Sequence, residues 1–89
     1  MQKIYTVAVG DLEARVFVNP VPAGTHVHGI AFDENAARIS SIPSTLYVGF
    51  CHWELVYKAA GELLASRRGI EYEDVAAAVS KILPECECE

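Results

Sequence analysis

The chain has 89 residues, 52% hydrophobic and 21% charged, and its twelve acidic against seven basic side chains give a net charge of −5. That length suits one domain near the lower end of what folds unaided. The acidic balance argues against direct binding to a nucleic-acid backbone or an anionic membrane surface, because both depend on clustered Lys and Arg.

Met1-Gln2-Lys3-Ile4-Tyr5 passes straight into a strand pattern without the apolar core or cleavage site of a leader, and no apolar run approaches membrane-spanning length. Three cysteines, two of them (Cys86 and Cys88) too close to pair, fit a reduced, cytoplasmic setting. Lys3 to Val9 and Leu12 to Val18 alternate and are β-rich. Between them Gly10-Asp11 suits a type II′ hairpin, with glycine at the position that needs positive φ. Leu12, Ala14, Val16 and Val18 share one face, so the second strand has a wet side opposite. The first strand is apolar on both faces, which predicts an interior strand.

Asn19-Pro20-Val21-Pro22-Ala23-Gly24 reads as a loop, since its two prolines remove ladder donors. His26 to Phe32 is the third strand, with His26, His28, Ile30 and Phe32 on one face and Gly29 marking a bulge or a close approach. Asp33-Glu34-Asn35 is read as a turn leading to a strand at Arg38-Ile39-Ser40, in preference to the alternative of one or two helical turns capped by Asp33 and ending near Ser41. Ile42-Pro43-Ser44 then breaks the chain before a central strand, Thr45 to Phe50, that feeds directly into the main helix.

In that helix Val56, Ala60, Leu63 and Leu64 recur at helical spacing, while Glu54, Lys58, Glu62 and Ser66 face elsewhere. Gly61 in its interior implies that another element crosses closely there. Arg67-Arg68-Gly69-Ile70 reads as the stop, with Gly69 at positive φ and Ile70 folded back. A three-residue connection leads to a second helix with Glu71, Glu73 and Asp74 at its start, an apolar stripe of Val75, Val79 and Ile82, and Pro84 at its end. The fold expected is α+β: an antiparallel sheet of three or four strands with a C-terminal αα-hairpin packed on one face. It forms a single domain over residues 1–84, followed by a short acidic Cys-containing tail at 85–89.

The strongest chemical constellation is a set of soft metal ligands. His26 and His28 project from one side of a strand, Cys51 and His52 sit at the strand-to-helix junction, and Cys86-x-Cys88 offers two thiolates. Four such groups suit tetrahedral zinc, although the spacing matches no standard zinc module and the bland alternative is strand histidines and a buried thiol. Gly49-Phe50-Cys51-His52-Trp53 resembles the Gly-x-Cys-x-Trp around the nucleophile of papain-like proteases over those five residues, without the upstream glutamine. The resemblance implies a nucleophilic Cys51 with its base supplied by His26 or His28; a small buried thiol is commoner at such a site. As a buried junction thiol, Cys51 changed to serine is expected to cost about 1–2 kcal/mol. The glycines form no phosphate-binding spacing. Trp53 and Tyr57, one helical turn apart, form a candidate partner-binding pair, weighed against core packing of Trp53.

The leading functional reading is a small non-enzymatic interaction protein acting through oligomerisation, first as a homodimer, or through binding another protein. A variant is an acidic inhibitor of a basic or nucleic-acid-binding target. The alternative is a zinc-type protein using His26, His28, Cys51 and His52; no other cofactor is expected.

Overall fold

A computed structural model describes residues 2–84, so the acidic tail with Cys86 and Cys88 lies outside the described residues. The strands are β1 (Lys3–Val9), β2 (Leu12–Val21), β3 (Gly24–Phe32) and β4 (Arg38–Tyr47), followed by helices α1 (His52–Leu64) and α2 (Tyr72–Ile82). The four strands form one antiparallel meander in the order β1-β2-β3-β4. Both helices pack on the same face of it, α1 over β2 and β3 and α2 beside it against β1. The fold is α+β, as the sequence predicts.

β2 shows why the sheet has two different faces. Leu12, Ala14, Val16 and Val18 are all buried beneath the helices, and the side chains between them point to the uncovered face. Val27 and Ala31 of β3 and Val7 of β1 join the same core, with Leu55, Val56, Leu63 and Leu64 of α1 and Val75 and Val79 of α2 above them. β1 is an edge strand, not an interior one: only Val7 is fully buried and Ile4 is 56% exposed on the open face. Gly10 takes φ 60 while Asp11 stays at negative φ, the geometry of the type II′ turn.

Two predicted breaks are strand instead. β2 runs through Pro20 to Val21, and Val21 pairs with Gly24 across a two-residue loop. That loop makes Val21–Gly24 a hydrogen-bonded pair, so the alternation turns the nitrogen of Pro20 away from β3. On that side the described ladder with β1 stops at Lys3 opposite Val18, so no ladder bond among the described residues is lost. Pro43 is absorbed similarly. β4 is the other edge, and its register against β3 slips between Val27 and Gly29, so Thr45 pairs with Val27 and Ile42 with Gly29. The predicted strand at residues 45–50 is thus only the end of β4, and 48–50 carry no ladder. The turn reading of residues 33–37 holds: Asp33 Oδ1 accepts the backbone N–H groups of Asn35 and Ala37 at 2.9 and 3.0 Å. The bond from Ala37, then that from Asn35, draws the Asp33 carboxyl below the usual aspartate range.

α1 ends at Leu64, earlier than the Arg67-Arg68-Gly69 signal implies, and the connection to α2 is correspondingly longer. Its last carbonyls are taken by one tertiary partner, Ser40, and by the local Arg67. Arg67 Nε and Ser40 Oγ both donate to the Leu63 carbonyl, at 2.8 and 3.1 Å, and Arg67 N donates to that of Leu64 at 3.2 Å. The chain then reverses through Ser66 (φ 71), Arg68 (φ 51) and Gly69 (φ 78). Ile70 folds back into the core as expected. In α2, Ile82 is exposed and Leu83 is buried in its place, because the chain turns extended at Leu83 (φ −151) and reverses which side chain faces inward.

Gly69→Val is expected to destabilise by about 1–2 kcal/mol, the strain of a β-branched residue at positive φ. A Cβ at Gly69 meets nothing within 4 Å, so strain is the whole effect, and Gly69→Asn should recover most of it in urea melts.

Candidate functional site

The outer side of α1 carries the aromatic surface. Its N-cap is Cys51, extended at φ −82, and Glu54 at the third helical position reaches back to accept the Cys51 N–H at 3.3 Å. The Cys51 thiol donates to the same Glu54 Oε1 at 3.2 Å. This fixes the first turn and sends Trp53 to the outer flank, with Tyr57 one turn on. The two rings stack with centroids 5.3 Å apart and planes 22° from parallel.

Tyr72, the first residue of α2, closes the row edge-on against Tyr57 at 6.2 Å. It fits because Gly61 has no side chain: a Cβ there would stand 2.6 Å from the Tyr72 ring. The predicted close crossing at Gly61 is therefore a side chain of the second helix. Phe50, held edge-on to Tyr47 at 5.8 Å, forms the other end. The result is an open groove of about 450 Å³ walled by Phe50, Trp53, Tyr57 and Tyr72, with Glu54, Lys58 and Glu62 along its rim. Phe50 is 48% and Tyr72 52% exposed. Trp53 and Tyr57 each pack against the core and also line the groove. The indole N–H of Trp53 is shielded from solvent and has no acceptor among the described residues.

The four candidate metal ligands among the described residues are not brought together. His26 and His28 lie on the uncovered face of the sheet, as Val27 between them points into the core. His28 stacks flat on Phe17, with centroids 4.6 Å apart and planes 5° from parallel. Cys51 and His52 sit on the helical side, where His52 packs edge-on against Tyr5 at 6.4 Å. The sheet separates the two pairs, and among the described residues no group of three or more His, Cys, Asp or Glu is placed to hold a metal ion.

The same layering separates Cys51 from the base that the protease resemblance requires. The thiol is buried and faces a carboxylate, while His26 and His28 are across the sheet. Glu54 also revises the expected cost of removing the thiol. A serine at position 51 finds an acceptor in Glu54 and is itself a favoured N-cap, so Cys51→Ser should change stability by less than about 0.5 kcal/mol. Glu54→Ala should cost about 1 kcal/mol by removing the reciprocal bond. Urea unfolding of the two variants checks both values.

Compared with known protein families, curated proteins and solved structures, the chain matches none.

Proposed function

We propose that this chain is a small non-enzymatic interaction protein that works as a homodimer and binds a segment of another protein in the aromatic groove of α1. The observation that carries the reading is the groove itself. Four aromatic rings stand in a row on one helical flank, and the two at its ends, Phe50 and Tyr72, are half exposed. Aromatic side chains bring large rigid contact area at low entropic cost, which is why they dominate binding hot spots.

The occupant that suits these walls is an extended, proline-rich segment. Proline rings stack on aromatic faces, and the polyproline conformation is ordered before it binds. Glu54 and Glu62 on the rim, in a chain of net charge −5, favour a segment carrying Arg or Lys. The described residues contain no helix long and apolar enough to cross a membrane.

Trp53 is the chain's single tryptophan, so its fluorescence reports the groove directly. An array of arginine-containing proline-rich peptides is the probe. At least one peptide should shift Trp53 emission saturably, and Tyr57→Ala should weaken that binding tenfold or more. If no peptide shifts the emission, or if Tyr57→Ala leaves binding intact, the groove is not a polyproline site.

A further inference from the structure

The helices cover one face of the sheet and leave the other open. We propose that the open face is where two copies of this chain meet, sheet against sheet, with the helical layers turned outward. The inference rests on the homodimer reading above and assigns its interface.

The open face has an apolar centre. Ile4, Phe17, His28 and Ile30 occupy neighbouring positions on β1, β2 and β3, because Ile4 pairs with Phe17, Phe17 with His28, and Arg15 with Ile30. The flat stack of His28 on Phe17 gives this centre a smooth floor, and Leu46, 42% exposed, extends it at the β4 edge. Around it the register places short or polar residues: Thr6, Ala8, Asn19 and Ser41.

Charge singles this face out as the one for a second copy. The chain carries a net −5, so most pairs of surfaces on two copies repel. Among the strand residues of the open face the one carboxylate is Glu13, which is already paired to Arg15 at 2.8 Å, and Arg15 in turn lies over the Phe32 ring at 4.9 Å; Asp11, Asp33 and Glu34 lie in the turns at one end of the sheet, Glu34 paired to Arg68. The register adds Arg38 opposite Phe32. Glu54, Glu62, Glu71, Glu73 and Asp74 are on the helical elements. Two acidic copies therefore meet with least repulsion across the sheet.

The area is sufficient. Four strands about 4.8 Å apart, each crossing the face over about seven residues at 3.3 Å, span roughly 450 Å² in projection. Side chains standing off the plane raise the accessible area towards about 600 Å² per partner, the lower end for specific interfaces. That size fits a dimer that dissociates in the micromolar range, with strands aligned within about 30° as in stacked sheets. Such a dimer points both aromatic grooves away from the interface, so it presents two binding sites and gains avidity for a partner with repeated segments.

Sedimentation and light scattering of the untagged chain should show a monomer at about 1 µM and a dimer at about 100 µM, as mass action requires. Ile30→Glu and Ile30→Lys should each be monomeric at the higher concentration, and an equimolar mixture of the two should regain the dimer. Recovery on mixing would show that both variants are folded. Should either variant fail to fold, hydroxyl-radical labelling of the unaltered chain decides: Phe17 and Ile30 should lose labelling in the dimer while Trp53 and Tyr57 keep theirs. A chain that stays monomeric at the higher concentration removes the homodimer reading altogether. A dimer that survives Ile30→Glu, or that shields Trp53 in place of Phe17, keeps the homodimer and overturns this interface.

Discussion

Truncating Leu63 to alanine is expected to lower stability by about 2–5 kcal/mol, the range for a buried leucine whose removal leaves a cavity. Leu63 is fully buried, and its methyl groups reach down to Gly29 in the middle of the sheet. The floor of the resulting cavity is β-sheet backbone held by ladder bonds on both sides, which cannot collapse inward. That places the loss in the upper part of the range. On the opposite flank of the same helix, Lys58→Ala should move stability by less than about 0.5 kcal/mol, as surface changes do. Gly69→Val falls between the two. Urea midpoints at a fixed protein concentration test this order, provided the slopes stay equal. A Lys58→Ala loss as large as that of Leu63→Ala would mean that α1 turns its polar flank inward.

This order of losses is legible in the sequence because helical period says which side chains share a face. Period also marks the apolar stripe by which each helix lies on the sheet, and alternation marks the buried side of β2. The turn at Asp33 is legible from its own residues. The sequence misleads at the prolines. Pro20 and Pro43 look like breaks, yet a proline costs a ladder bond only where its nitrogen faces a neighbouring strand. At Pro20 the described ladder of the neighbour stops short and at Pro43 the strand is an edge with a slipped register, and both facts belong to the sheet as a whole. The end of α1 is hidden for a related reason. The hydroxyl that takes the Leu63 carbonyl comes from Ser40, 23 residues earlier in the chain.

The groove is half legible. Trp53 and Tyr57 announce themselves by lying one turn apart, but Phe50 and Tyr72 join them only through the fold. The available signal is Gly61, a costly helical glycine whose missing side chain makes room for Tyr72. Among the described residues the two pairs of candidate metal ligands stand apart for a reason that no spacing shows. Residues 26 and 28 alternate with a core valine and point away from the helices, while Cys51 and His52 begin the helix that covers the other face.

The second large effect is at Gly29, where Gly29→Ala should cost about 1–3 kcal/mol through overpacking. A Cβ on Gly29 would stand 2.8 Å from Leu63 Cδ1 and 3.1 Å from the carbonyl oxygen of Arg15. The leucine methyl belongs to a fully buried side chain and the carbonyl to a ladder, so neither gives way cheaply. Strain at positive φ has no part in this, since Gly29 is not among the positive-φ glycines. Combining Gly29→Ala with Leu63→Ala separates the two contacts. The shortened side chain at position 63 leaves the new methyl room, and the methyl in turn fills part of the cavity. The double variant should therefore lose about 1–2 kcal/mol less than the two single losses added together, a coupling of the size found between residues in contact. Some of the Gly29→Ala loss should persist in the double variant, because the Arg15 carbonyl stays where it was. Losses that simply add, to within about 0.5 kcal/mol, would mean that Leu63 does not reach Gly29 and that α1 sits differently on the sheet.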